Sequence, residues 1–535
     1  MRRFFVPAAL VLLACVSVTQ AQDKTPPTVV VRAESLNALL SHLNLVVKLI
    51  GQDEAGTTID GLIKSKIGNA GLEGIDPAQP FGAYVRFGKS MDDLQGAILI
   101  PMADEKAFLK FVGTLDPDLK KDNDGIYTYK TKTADIFFRF AHKYAFVTTV
   151  NVQSIQDKNL VEPAKALNVA GASTFTVVAQ IDQIPNDAKL LALEWLKETL
   201  IVAEKSGAAG ETKPQEAFRV ALLRDAHKFA AQIVREGGEA RLDLGVNEKA
   251  KDLTVNVSVK AKPGSDLAKA IKDLGDVKSP LAGVFAENQA FQGAVNLKLS
   301  ADLSKTFADL VAEVKQKSIE GIQSKEKQVQ AALLFDALMP TATSGEWHAA
   351  AAVLGAREKQ YGFVAAVKLK DGIKLGNTVR DLIAESLKDK AIPDAERDKI
   401  KLDFDSVGAV KIHRMQMPKE ASDTLQKLTG DDKVYLAFRD DALFLATGQD
   451  ALPALKTAIG KTDAAASGSL SFDFDMARMA GMMAMTVEEK ALASKLFPAG
   501  QSSRVRFAID GGPALTVRLQ MQFNALEYLM KAKAK

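Results

Sequence analysis

Two aspartates and three arginines in the last fifth of the chain have the spacing of charged side chains on one face of a sheet. Asp473 and Asp475 alternate with apolar residues, and this period of two places both carboxylates on the same face of a strand. Arg504, Arg506 and Arg518 occupy the polar positions of a following hairpin. If these strands are neighbours, the groups form a charged patch that binds a polar or anionic ligand. The same pattern is typical of cross-strand ion pairs that only stabilise a sheet.

Two carboxylates on one face also permit acid–base chemistry, so a hydrolase with a carboxylate site at Asp473 and Asp475 is one hypothesis. Against it, the sequence contains no GxSxG, GxxxxGK[ST], GxGxxG, CxxC or HExxH motif. The five histidines are isolated from one another in the sequence. We therefore predict a non-enzymatic protein that uses no cofactor.

Five methionines lie on and around one predicted helix: Met476, Met479, Met482, Met483 and Met485. Thioether sulfurs are suitable ligands for Cu(I). However, residues 480–485 align with residues 188–193, so that three of these methionines take the place of leucines. Exchange of leucine for methionine conserves volume in a packed core. We interpret the cluster as a packing helix and predict no metal site.

The elements that must position these residues occur twice, in the same order, in residues 25–275 and 280–535. Each half has a strand and a helix, a hairpin with a following helix, and a second strand pair. Each then closes with a strand, a helical segment, a hairpin and a helix. Similarity kept in order over about 250 residues is most simply explained by duplication. The predicted fold class is α+β: two tandem copies of one domain, each a large, mainly antiparallel sheet covered on one side by helices.

The strands differ in how many of their faces are apolar. Residues 515–521 alternate between apolar and polar side chains, which predicts one packed face and one polar face. Residues 136–141 and 442–446 are apolar on both faces. Such strands are expected to lie centrally in the sheet or under a second layer.

The first 21 residues are predicted to be an export signal, because Arg2 and Arg3 precede an apolar stretch that ends in small residues. The segment that ends at Cys15 resembles the lipobox of bacterial lipoproteins. Cys15 is therefore either lipidated, as a lipid anchor, or removed with the signal. No later run reaches the roughly 18 apolar residues of a membrane span. We predict a mature chain without a transmembrane segment, in the periplasm or cell envelope.

The composition fits a folded protein with two domains of ordinary size, since 47% of the 535 residues are hydrophobic. The 69 basic and 66 acidic residues are interspersed and give a net charge of +3. This balance does not provide the basic surface expected of a nucleic-acid-binding protein.

A strand, a turn and a helix follow one another in residues 444–455, which read Phe-Leu-Ala-Thr-Gly-Gln-Asp-Ala-Leu-Pro-Ala-Leu. With the export signal and the order of elements, this unit resembles exported bacterial proteins of uncharacterised families built from repeated strand-helix units. The resemblance covers most of the mature chain. It implies export and α+β repeats, and it supplies no functional residue.

Three functions are compatible with these observations. The first is a non-enzymatic exported envelope protein with a binding or structural role, whose partner is another envelope protein or the cell surface. The alternative is a carrier of a lipid or other apolar small molecule, held in a cavity that the doubly apolar strands of the duplicated sheets would line. The second alternative is the hydrolase with the carboxylate site.

Overall fold

The computed structural model describes residues 26–50, 74–115, 119–131, 134–207, 210–285, 289–355, 360–388, 392–417, 419–461, 465–466, 468–483, 486–498 and 501–533. The predicted export signal with Cys15, as well as Met485, lies outside these residues.

Fifteen α-helices are present in the described part of the chain: α1 (Leu36–Ile50), α2 (Glu105–Leu115), α3 (Pro163–Ala166), α4 (Asn186–Lys205), α5 (Lys213–Glu236), α6 (Asp266–Gly275), α7 (Ala301–Glu320), α8 (Lys325–Ala342), α9 (Gly372–Ser386), α10 (Asp394–Arg397), α11 (Lys419–Thr429), α12 (Ala451–Gly460), α13 (Met476–Met483), α14 (Val487–Leu496) and α15 (Phe523–Lys533).

The β-strands of the same residues are β1 (Val29–Ala33), β2 (Phe81–Arg86), β3 (Gln95–Pro101), β4 (Lys120–Lys121), β5 (Tyr127–Lys130), β6 (Asp135–Ala141), β7 (Tyr144–Thr148), β8 (Phe175–Gln180), β9 (Gly237–Asn247), β10 (Asp252–Ala261), β11 (Lys278–Ser279), β12 (Phe291–Lys298), β13 (Glu346–Val353), β14 (Gly362–Lys368), β15 (Ile400–Val407), β16 (Val410–Gln416), β17 (Lys433–Arg439), β18 (Ala442–Gly448), β19 (Ala465–Ala466), β20 (Leu470–Asp475), β21 (Arg504–Asp510) and β22 (Leu515–Gln522).

The fold is α+β with extensive antiparallel strand pairing, as the sequence predicts. The chain divides into two compact units. The first unit comprises the residues up to Trp195, Ala231–Leu267 and the segment from Leu529 onward. The second unit comprises Leu196–Ala230 and Ala268–Tyr528.

The strand order is the same in the two units. Strands of the first unit lie side by side in the order β4, β5, β6, β7, β3, β2, β1, β8, β9, β10. Those of the second unit lie in the order β15, β16, β17, β18, β14, β13, β12, β20, β21, β22. Strands β11 and β19 pair only with each other and are left out of this comparison. When the other described strands of each unit are numbered from 1 to 10 in chain order, both units have the spatial order 4-5-6-7-3-2-1-8-9-10.

Each unit packs one face of its sheet into a core. In the first unit the core is formed by Tyr84, Ala97, Leu99, Ile126, Phe146, Ile155, Val161 and Leu167. In the second unit, alternate residues of β13, β14 and β18 pack against α12 and a short turn at Ala282–Val284. Phe444 and Leu455 are fully buried at this contact. Burial of such a side chain stabilises the fold by about 1.5–3 kcal/mol.

Candidate ligand-binding site

The predicted charged patch lies on one face of β20, β21 and β22. Asp473 is directly opposite Arg506, and Asp475 is directly opposite Arg504. Oδ2 of Asp473 accepts hydrogen bonds from Nη1 of Arg504 at 2.8 Å and from Nε of Arg506 at 3.2 Å. One carboxylate thus joins two guanidinium groups across the strand pair. Partly exposed ion pairs of this kind each contribute about 0.2–1 kcal/mol.

Asp475 has different partners from Asp473, although the two side chains share a face. Its side chain is only 1% exposed, and Oδ1 accepts hydrogen bonds from the N–H groups of Ser503 and Ala477, both at 3.2 Å. Oδ2 accepts a hydrogen bond from the Ser502 hydroxyl at 3.0 Å and lies 3.4 Å from Nε of Arg478. Asp475 therefore caps the first turn of α13 and fixes the start of β21.

Arg518 lies on the same face but apart from these pairs. It is opposite Ala508 on β21, whereas Arg506 is opposite Gln520. The Arg518 side chain is exposed and forms no ion pair with the part of the chain that the structure describes. The five predicted residues thus share a face, but Asp475 and Arg518 stand outside the pairing of Asp473 with Arg504 and Arg506. The ligand-binding role of the set stays a prediction.

Two of the histidines are buried in the second unit. Nδ1 of His348 is 3.0 Å from Oδ1 of Asn296, while Nδ1 of His413 accepts a hydrogen bond from the N–H of Asp403 at 3.1 Å. Burial lowers the pKa of both imidazoles below the ordinary 6.5. Among the described residues, no group of three His, Cys, Asp or Glu side chains is arranged to hold a metal ion.

Because the pKa values of these two histidines are lowered, we expect the folded protein to lose stability in mild acid. A lowered folded-state pKa means that the unfolded chain binds the proton more tightly, so stability is complete above pH 6.5 and declines as the pH falls through the folded-state values. The free energy of unfolding in urea, measured between about pH 7.5 and about pH 5, should fall less steeply in the His348→Gln, His413→Gln double variant. His142→Asn, at an exposed turn, is the control and should keep the wild-type slope. Identical slopes in all three proteins would contradict the prediction.

An apolar surface lies on the opposite face of the sheet in the second unit, in its central strands. Along β18, Phe444 and Ala446 are 0% exposed on the core face, whereas Leu445 between them is 40% exposed on the other face. Val367 of the neighbouring strand β14 is 46% exposed. Cross-strand pairing places Val367 beside Ala349 and Leu443, and Leu445 beside Ala365. We call the following six residues the open patch: Ala349, Ala351, Ala365, Val367, Leu443 and Leu445.

Helices contact the same sheet face around the open patch. The ring of Phe307 in α7 is 4.1 Å from that of Trp347, at the start of β13. A Cβ added at Gly376 in α9 would lie 2.7 Å from Cβ of Phe438, so this helix backbone rests on β17. Met479 in α13 belongs to a cluster against which the partly buried Phe363 of β14 packs. The patch is thus bordered by α7, α9 and α13.

Three of the six patch residues are alanines. Their side chains are small and project little above the sheet. None of the six carries a charge or a polar side chain group. Such a composition suits contact with apolar groups and offers no hydrogen-bonding side chain to a polar one.

The first unit exposes apolar side chains on the corresponding sheet face. Ile98 of β3 is 50% exposed and lies opposite Ala83 of β2 and Val147 of β7. Its neighbour Leu99, on the core face, is 0% exposed, as is Phe146 opposite Leu99. Both units therefore combine one closely packed face with one partly open apolar face.

The sequence contained a signal for part of this site. Residues 442–446 were predicted to be apolar on both faces, which identifies Leu443 and Leu445 as members of a second apolar surface. The run of alanines from Ala349 to Ala352 gives no such signal, because side chains of equal size do not reveal which face is packed.

Comparisons with known proteins yield no matching family, no matching curated protein and no matching solved structure. None of the described helices combines the length and the apolar character needed to cross a bilayer.

Proposed function

We propose that this chain is a non-enzymatic, exported envelope protein that binds a lipid or another apolar small molecule on the open patch. The observation that carries the proposal is the exposure of Val367 and Leu445, at 46% and 40%, on central strands whose other face is fully packed. Exposed apolar surface costs about 25 cal/mol per Å² relative to burial. Contiguous exposed patches on folded proteins therefore mark surfaces that bind a partner.

The surroundings of the patch favour a small apolar ligand over a broad protein surface. Helices contact the sheet near Trp347, Phe438 and Phe363, and these contacts border the patch. A narrow alkyl chain or ring system is the proposed occupant, because the small alanine side chains of the patch allow a closer approach to the sheet than larger side chains would. A flat protein surface would meet the helices before it reached the alanines.

Two further observations support the remaining parts of the proposal. The buried Asp475 carboxylate is occupied by hydrogen bonds that cap α13, which favours a structural role over acid–base chemistry. The common strand order of the two units supports their origin as tandem copies, residues 25–275 and 280–535. Export to the periplasm or cell envelope rests on the predicted signal in residues 1–21.

The proposal is tested with the neutral fluorescent probe N-phenyl-1-naphthylamine. The wild-type protein should bind it, and the Val367→Lys, Leu445→Lys double variant should bind it about tenfold more weakly, because covering the exposed part of each side chain contributes about 0.7–1.4 kcal/mol, somewhat less than half of full burial. Val487→Lys is the matched control, since this valine is 77% exposed at the start of α14. Equal affinity of the wild type and the double variant would overturn the proposal, as would the absence of binding to the wild type.

A further inference from the structure

A surface cavity of about 500 Å³, open to solvent, lies between α8 and α9, with the segment from Ile392 to Ile400 along one side. This volume is within the range of about 300–1,000 Å³ that is typical of small-molecule sites. All of its lining residues belong to the second unit, and none of them belongs to the open patch. We propose that this cavity binds a single-chain amphiphile with a carboxylate head group, such as a medium-chain fatty acid.

The wall of the cavity is mainly apolar. Six of its large side chains are Leu334, Leu382, Ile383, Leu387, Ile392 and Ile400. Ala331 of α8 contributes a methyl group, which leaves room between the two helices. Such a wall gains free energy by covering an alkyl chain, at about 0.8 kcal/mol for each buried CH₂ group.

The polar residues of the cavity favour a negative head group. Lys327 of α8 is exposed and has no ion-pair partner within the described ranges. Among the described lining residues the acidic one is Glu396, which is already paired, since its Oε1 is 2.5 Å from Nζ of Lys399. The Ser386 hydroxyl donates its hydrogen to the carbonyl oxygen of Leu382 at 2.9 Å and so retains only acceptor capacity. Lys327 is therefore the cation available to a carboxylate at the cavity.

The inference is independent of the proposed function, because the open patch consists of neutral sheet residues and the cavity is lined by helices with a lysine. A charged amphiphile is expected here, and a neutral apolar molecule is expected on the patch.

Isothermal titration of the full-length protein with decanoic acid and with decan-1-ol tests the inference. The wild type should bind decanoate about twofold to fivefold more tightly than decanol, the range expected of an ion pair with an exposed lysine. Lys327→Met should remove this preference and leave decanol binding unchanged. Lys325→Met is the matched control and should keep the preference, because this exposed lysine lies two residues earlier, about 200° around the helix, and does not line the cavity.

A second variant locates the site. Ala331→Trp places an indole in the cavity and should weaken the binding of decanoate by about tenfold or more. Far-UV circular dichroism shows whether the Ala331→Trp variant folds. If it does not fold, the exposed Lys327→Met variant alone tests the inference. Equal wild-type affinity for decanoate and decanol, binding of neither, or a preference that persists in Lys327→Met would overturn the inference. The Val367→Lys, Leu445→Lys variant should bind decanoate normally, so the failure of one proposal is distinct from the failure of the other.

Discussion

Phe444→Ala is expected to lower the free energy of unfolding of the second unit by about 3–5 kcal/mol, whereas Leu445→Ala, one residue further along β18, should cost less than about 1.5 kcal/mol. Phe444 is 0% exposed and packs against Leu455 of α12 and other core residues, and the guanidinium carbon of Arg439 lies 5.0 Å from its ring centroid. Its truncation therefore leaves a cavity. Leu445 is 40% exposed, so its truncation removes fewer contacts and leaves no enclosed void.

Urea unfolding followed by circular dichroism measures both changes. The comparison is internally matched, because the two residues occupy the same strand and differ in the face to which they point. Equal losses of stability would contradict the account, since they would place Leu445 in a packed core. A near-neutral Leu445→Ala variant would mean that this large apolar side chain is dispensable for folding.

Asp475→Ala is expected to cost about 2–4 kcal/mol in unfolding free energy, because it removes an N-cap, at about 1 kcal/mol, and leaves a buried N–H group unsatisfied, at about 1–3 kcal/mol. The substitution takes the acceptor from the N–H groups of Ser503 and Ala477 and from the Ser502 hydroxyl. Ser503 is only 2% exposed, so its N–H group is left without a partner or water.

Asp475→Asn is the control, because the amide keeps an oxygen that accepts from Ser503 and Ala477. It should recover about half of the lost stability or more, since the N-cap function needs an acceptor and asparagine serves well at this position. Thermal unfolding of the two variants measures the difference. An Asp475→Ala variant as stable as the wild type would contradict the capping role.

Much of the sheet was predictable from the sequence because its signals are local. The alternation of residues 515–521 and the doubly apolar residues 442–446 both lie in strands, β22 and β18. The spacing of Asp473 and Arg506 also predicted a shared face, and the two residues are direct cross-strand neighbours. Side-chain alternation has a period of two along any strand, so it is visible without knowledge of the partner strands.

The roles of individual charged groups were not predictable in the same way. Asp475 accepts hydrogen bonds from Ser502 and Ser503, which lie 27 and 28 residues further along the chain. No sequence pattern in either segment predicts that contact. Arg504 is opposite Asp475 in register but reaches diagonally to Asp473, because arginine has a long side chain. Asp473 and Asp475 have equivalent positions in the sequence pattern, but their hydrogen-bond partners in the folded protein differ.

The helices that border and line the proposed sites were also only partly predictable. The repeated order of elements contains no helix at α5 or α8. In α8, Val329 and Leu333 are 61% and 50% exposed, so its apolar residues do not all point to one packed side. Amphipathic periodicity, the main sequence signal for a helix, is weak under such conditions. The solvent exposure of a sheet face depends on where such helices pack. Local sequence patterns do not predict that packing.

Native mass spectrometry of the mature chain, isolated from a bacterial envelope without detergent, tests the binding of an apolar ligand most directly. The account predicts excess mass that disappears on solvent extraction, with an apolar molecule recovered in the extract. The Val367→Lys, Leu445→Lys variant, prepared in parallel, should carry markedly less of it. A wild-type mass equal to that of the bare polypeptide, or the same excess mass in the variant, would contradict the open patch as a ligand site.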